Sequence, residues 1–78
     1  MQKFMVIERF RPGCWDAAYE RFHEQGRLLP EGLNYLNSWP NRELSVCYQL
    51  METRRPELFD VWFGRWEDLV EFELVPID

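Results

Sequence analysis

Residues Phe4-Met5-Val6-Ile7 are apolar in both alternate registers, Phe4 and Val6 in one and Met5 and Ile7 in the other. Val46-Cys47-Tyr48-Gln49-Leu50-Met51 repeats the pattern. A strand with one face in water alternates apolar with polar, so these two segments predict a sheet covered on both sides.

The first strand spans Lys3 to Phe10 and closes at Arg11-Pro12-Gly13, where proline cannot donate to a ladder and glycine permits a turn. Helical spacing follows, with Trp15, Ala18, Phe22 and Leu29 on one face and Asp16, Glu20, Arg21, Glu24 and Arg27 on the others, predicting a helix over Cys14–Leu29. Pro30-Glu31-Gly32 ends it. A second strand runs over Leu33–Trp39, Pro40-Asn41-Arg42 makes a turn, and a third strand runs over Glu43–Thr53. Thr53, with a proline and an acid just after it, reads as a cap for a second helix over Pro56–Asp68, whose apolar face is Leu58, Phe59, Trp62, Phe63 and Trp66. Gly64 within it suits close packing. In the last strand, Leu69–Ile77, Glu71 and Glu73 alternate with Val70, Phe72 and Leu74, the pattern of an edge strand whose charges discourage further pairing.

The order is βαββαβ. Two right-handed crossovers place both helices on one face of a four-stranded antiparallel sheet, an α+β ferredoxin-like fold. Two short helices cover one face only, so the second apolar face is expected to meet another copy of the chain, giving a homodimeric α+β barrel.

The 78 residues allow one domain, over 1–78, near the size at which a single core only marginally offsets chain entropy. Only Cys14 and Cys47 are present and neither has metal-ligand spacing, so both read as reduced core residues and no metal or other cofactor is expected. A net charge of −5, with Arg54-Arg55 the one basic cluster, argues against nucleic acid or an anionic membrane as partner. No apolar run reaches the ~18 residues of a membrane span. The first residues lack signal-peptide organisation, and a cytoplasmic location is expected. Aromatic residues make up 17% of the chain, which supplies burial for a small core and walls for a ligand pocket.

Phe4-Met5-Val6-Ile7-Glu8-Arg9-Phe10 with Arg11-Pro12-Gly13, the strand end Gln49-Leu50-Met51-Glu52-Thr53, and Trp66-Glu67-Asp68-Leu69-Val70-Glu71-Phe72 with Val75-Pro76 resemble a small bacterial family known as a domain of unknown function. The similarity covers nearly the whole chain and implies a dimeric α+β barrel, but no activity. A more distant likeness, one of fold, is to cofactor-independent and haem-degrading monooxygenases that share the barrel. Some of those use an Asn, a Trp and a Tyr or His around a pocket, which draws attention to Asn37, Trp39, Trp62, Tyr48 and His23.

Glu8 shares the register of Phe4, Val6 and Phe10, so a carboxylate is expected to face the helices, where it must be paired, hydrogen-bonded or neutral. Tyr48 and Asn37 are its candidate partners by nominal alternation, and Glu8 and Tyr48 are the candidate proton-handling pair. Arg9 and Gln49 fall with Met5, Ile7, Cys47 and Met51 on the expected dimer face. His23 is the one histidine, set among helix-surface charges. Trp62 and Trp66, with Asn37 and Trp39, are the candidate walls of a site for a small apolar or aromatic molecule; each ring also serves as ordinary core packing. No phosphate loop, nucleophile elbow or zinc motif occurs. The expected function is a homodimeric small-molecule binding module, with a cofactor-independent oxygenase-like or isomerase-like enzyme as the alternative.

Overall fold

A computed structural model describes residues 1–77. The chain runs β1 (Gln2–Phe10), α1 (Trp15–Gln25), β2 (Leu33–Asn41), β3 (Val46–Thr53), α2 (Leu58–Gly64) and β4 (Val70–Ile77). The strands form one antiparallel sheet in the order β2-β3-β1-β4, the ferredoxin-like α+β arrangement. The edge position expected for β4 is observed, and its Glu73 and Glu71 bind Arg9 and Arg11 at 2.9 and 3.0 Å.

The core lies between the helices and one face of the sheet. Phe4, Val6, Met51, Phe59, Trp62 and Val70 are all nearly inaccessible, and Phe4 meets Phe59 edge to face at 4.9 Å. Phe72 of β4 stacks on Phe63 of α2 at 4.2 Å, closing the sheet's other margin.

The expected face of β3 is corrected. Cys47, Gln49, Met51 and Thr53 are the buried set and point to the helices, while Val46, Tyr48 and Leu50 point away. Each set holds two apolar residues, Cys47 and Met51 in one and Val46 and Leu50 in the other, so alternation alone cannot choose between them. What fixes the choice is pairing: Phe4, Val6 and Glu8 of β1 stand opposite Met51, Gln49 and Cys47. The open face therefore carries Met5, Ile7, Tyr48, Leu50 and Val75, half-buried or exposed, beside Trp39.

Several boundaries move for local reasons. α1 stops at Gln25 because Gly26 turns into the left-handed region at φ 70°, and Leu28 (φ 59°) and Gly32 (φ 96°) keep the connection to β2 irregular. β2 passes through Pro40, which an edge strand tolerates. It bulges at Leu36, between the pairs of Tyr35 and Asn37 with Met51 and Leu50. β3 starts at Val46 rather than Glu43, since Asn41 Oδ1 accepts the Leu44 N–H at 3.1 Å and Ser45 adopts φ 56°. Beyond Gly64 the chain continues in turns, with Val70 N–H bonded to the Trp66 carbonyl at 3.0 Å, and so keeps helix-like spacing without being regular helix. Thr53 does not cap α2. Its Oγ1 accepts the Arg55 N–H at 3.0 Å and donates to the Gly32 carbonyl at 2.7 Å, tying two loops together ahead of the helix, which starts at Leu58.

Candidate functional site

Glu8 sits on a central strand with 6% of its surface accessible, under the helices. Its Oε1 accepts a 2.5 Å hydrogen bond from Gln49 Nε2, across the β1–β3 ladder. Burial raises the carboxyl's pKa above the ordinary glutamate value; hydrogen bonds from Gln49 and Cys47 and the charge of Arg27 oppose the rise without cancelling it. Cys47 is buried beside it, and its thiol is pushed up to about 12 by burial first and then by the neighbouring carboxylate. Tyr19, reaching in from α1, is likewise shifted upward, by burial and by the charges of Cys47 and Glu8.

Arg27 completes the group, and its position follows from the irregular connection after α1. Its carbonyl accepts hydrogen bonds from both Trp62 Nε1 and Trp66 Nε1, at 2.8 and 2.9 Å. The carbonyl of the next residue, left-handed Leu28, accepts from Arg65 Nη1 at 2.8 Å. A non-glycine residue in that conformation costs about 1–2 kcal/mol, and these bonds from the α2 side hold it in place. Anchored so, the Arg27 guanidinium lies 3.5 Å from the Tyr35 ring centroid and 5.0 Å from that of Phe22. Its Nε donates to Gln49 Oε1 at 3.2 Å. Gln49 thus links the two charged residues, its oxygen toward Arg27 and its amide nitrogen toward Glu8.

These side chains border a cavity of about 80 Å³ between sheet and helices, with Glu8, Gln49, Arg27 and Tyr19 on its polar side and Trp62 and Trp66 on its apolar side. A water needs roughly 10–15 Å³ of such space, so the cavity accepts several waters or a few carbon-sized atoms. Chemically it offers one carboxyl that holds its proton unusually well, one guanidinium and indole walls. Among the described residues no cluster of His, Cys, Asp and Glu is arranged to hold a metal.

Of the residues singled out in the sequence, Glu8, Trp62 and Trp66 converge on this cavity. Tyr48, Asn37 and Trp39 do not. Tyr48 stands opposite Ile7 and Trp39, and Asn37 opposite Leu50, all directed to the open face, where Tyr48 is 38% and Trp39 48% exposed. Asn37 Oδ1 instead accepts the Ser38 N–H at 2.8 Å. The partnership expected between Glu8 and Tyr48 or Asn37 is accordingly replaced by Gln49, because β3 presents its odd-numbered residues to the helices. Arg9 lies on the open face as expected, and Gln49 does not. His23 lines a shallow surface groove along α1 with Trp15, Glu20 and Arg42, apart from the cavity. Arg27 and Tyr19 were not among the candidates. Gly26 was the available cue for Arg27, since a residue just past a glycine stop leaves the helix surface and is free to turn inward.

The chain belongs to the DUF3303 family, a domain of unknown function, whose family model matches residues 2–77. No curated protein matches it. Among solved structures it is similar to an L-rhamnose mutarotase from Formosa agariphila, at 14% identity over 100% of this chain and 94% of that one, with a TM-score of 0.57. At that identity the likeness establishes the fold. Among the described residues no helix is long and apolar enough to cross a membrane.

Proposed function

We propose that the chain is a homodimeric binding protein for a small molecule, whose ligand lies against Trp62 and Trp66 with its polar end at Glu8. The observation that carries this reading is the buried Glu8 carboxyl at an apolar cavity, hydrogen-bonded to Gln49 and, among the described residues, without a cation in direct contact. Burying a charge without a counter-ion is costly, and a sheet chosen for stability alone would place a leucine there. The cavity is about half the 150 Å³ that takes benzene, so it accommodates a small head group while the remainder of a ligand extends through its mouth.

Homodimerisation rests on the open face of the sheet. Met5, Ile7, Tyr48, Leu50 and Val75 form an apolar surface on a chain of only 78 residues. Lys3, Arg9, Glu52, Glu71 and Glu73 contribute charges of both signs on the same face, which a two-fold related copy can pair. A second copy is the occupant that matches this mixture.

A second reading is an isomerase-like enzyme, in which Glu8 gives a proton to one atom of the ligand and another is returned to it. The raised pKa of Glu8 favours it. The mutarotase likeness, being one of fold, adds no residue to it.

Native mass spectrometry of the protein as purified, followed by a ligand screen, tests the binding reading. The expected result is a dimer that takes up one small molecule per subunit, with uptake abolished by Ala18→Leu, which fills the cavity from α1. A monomer, or uptake unaffected by Ala18→Leu in a folded protein, contradicts it. Turnover lost in Glu8→Gln while binding persists would select the enzyme.

A further inference from the structure

We propose that the group recognised in the cavity is the carboxylate of a small monocarboxylic acid, held by the two Nη atoms of Arg27 and by the Glu8 carboxyl. The inference deepens the binding reading and rests on it.

Arg27 differs from most arginines of the chain. Arg9, Arg11, Arg21, Arg42 and Arg55 each have a carboxylate within 3.1 Å. Arg27 is less exposed than most of them and, among the described residues, has none. The one hydrogen bond its guanidinium makes there is Nε to Gln49, so neither Nη atom has a partner there, and Arg27 is one of the residues that line the cavity. A planar guanidinium held by an aromatic stack and one hydrogen bond is already oriented for bidentate contact with a carboxylate.

Gln49 explains why Glu8 does not fill that role itself. Its side-chain amide stands between the two groups and bonds to both, keeping the Glu8 carboxyl from direct contact with the cation. A protonated Glu8 can donate its O–H to an incoming carboxylate, and the buried site favours the protonated form. One cation and one neutral acid match a single negative charge. A neutral hydroxyl or amide ligand would leave Arg27 uncompensated. The size of the cavity, about 80 Å³, suits a carboxylate with one or two carbons beyond it inside and any larger body outside.

The groups facing Glu8 are Cys47 and Gln49 from β3, Tyr19 from α1, Arg27 from the connection after α1, Phe72 opposite on β4 and Trp62 from α2. Cys47 is pushed up to about 12 and Tyr19 is shifted upward, so Glu8, although burial raises it, is the first of these groups to ionise as the pH rises. Its ionisation places a negative charge against the ligand. Carboxylate affinity is therefore expected to fall as the pH rises.

Calorimetric titration with sodium propionate, propionamide and 1-propanol at constant ionic strength, from about pH 5.5 to about pH 8, tests this on the dimer as purified. Propionate is expected to bind at least about tenfold more tightly than either neutral probe at the acid end. That preference should disappear in Arg27→Gln, and the pH dependence should flatten in Glu8→Gln. Equal binding of propionamide and propionate overturns the proposal, as does a pH dependence that persists in Glu8→Gln. If Arg27→Gln does not fold, the three-probe comparison in the wild type decides alone. Failure of all three probes while native mass spectrometry finds an uncharged ligand in the cavity overturns the carboxylate and spares the binding reading; if Ala18→Leu is also without effect, both fall.

Discussion

Replacing Glu8 by Gln isolates the energetic consequence of burying its carboxyl. In the folded protein the group holds its proton to higher pH than in the unfolded chain, chiefly because burial penalises the charged form. Between the ordinary value of 4.5 and the raised folded value, the folded state binds more protons, so this group's contribution to stability is complete at acid pH and is lost as the pH rises. The slope for one group is bounded at about 1.4 kcal/mol per pH unit. Glutamine keeps the shape and still accepts from Gln49 but does not titrate. Its own N–H₂ puts a donor where the carboxylate had an acceptor, which adds a pH-independent offset of roughly 1–3 kcal/mol. Urea denaturation of both proteins, followed by tryptophan fluorescence at a fixed protein concentration, gives the difference in unfolding free energy at each pH. The difference should move in favour of Glu8→Gln from about pH 4.5 upward and then level off once the folded carboxyl has ionised. Other ionisable groups cancel in it. Parallel stability curves across the range would refute the claim that Glu8 is buried against its charge.

Thr53→Val removes the hydroxyl that links Gly32 and Arg55 at a fully buried position, and is expected to cost roughly 1–3 kcal/mol in the same denaturation assay; an unchanged stability would mean the loops are not tied there. Ile7→Asp places a charge in the middle of the open face and should convert the proposed dimer to monomer or unfold it, read by sedimentation velocity. Iodoacetamide at about pH 8 should alkylate Cys14 before Cys47, because the Cys47 thiol is buried and pushed up to about 12; equal rates by intact mass would contradict this. Gly32→Ala should destabilise by about 1–2 kcal/mol, since the residue has φ 96° and a Cβ there would stand 3.0 Å from Leu58 Cδ1.

The topology was legible because the elements carried their own periods and three of the junctions their own stops: Pro12-Gly13, Pro30 with Gly32, and Pro56 fall between elements, whereas Pro40 lies inside β2. Phe4, Val6 and Glu8 were also readable as one buried face, since Glu8 interrupts an otherwise apolar register. β3 was not. With Val46, Tyr48 and Leu50 as apolar as Cys47, Gln49 and Met51, only the ladder to β1 separates the two faces, and pairing is a property of two segments rather than one. That single ambiguity moved Gln49 away from Glu8 and brought Tyr48 to it. Arg27 was hidden differently. Helical spacing carried the first helix on to Leu29 and left Arg27 on its solvent side, whereas Gly26 ends the helix and two indoles, from α2 and the turn after it, capture the Arg27 carbonyl. Such a contact, between residues thirty-five and thirty-nine positions apart, leaves no local trace.

The four tryptophans give the most direct test of the proposed binding cavity, because Trp62 and Trp66 line it while Trp39 lies on the opposite face of the sheet and Trp15 at the outer groove. Their indole N–H signals are to be followed by two-dimensional nitrogen–proton NMR while propionate, and in parallel a small apolar alcohol, is titrated into the protein. Saturable shifts of Trp62 and Trp66 with Trp39 unmoved are the predicted result. Shifts confined to Trp39 or Trp15, or none at Trp62 and Trp66 with any probe, would contradict the assignment of this cavity as the binding site.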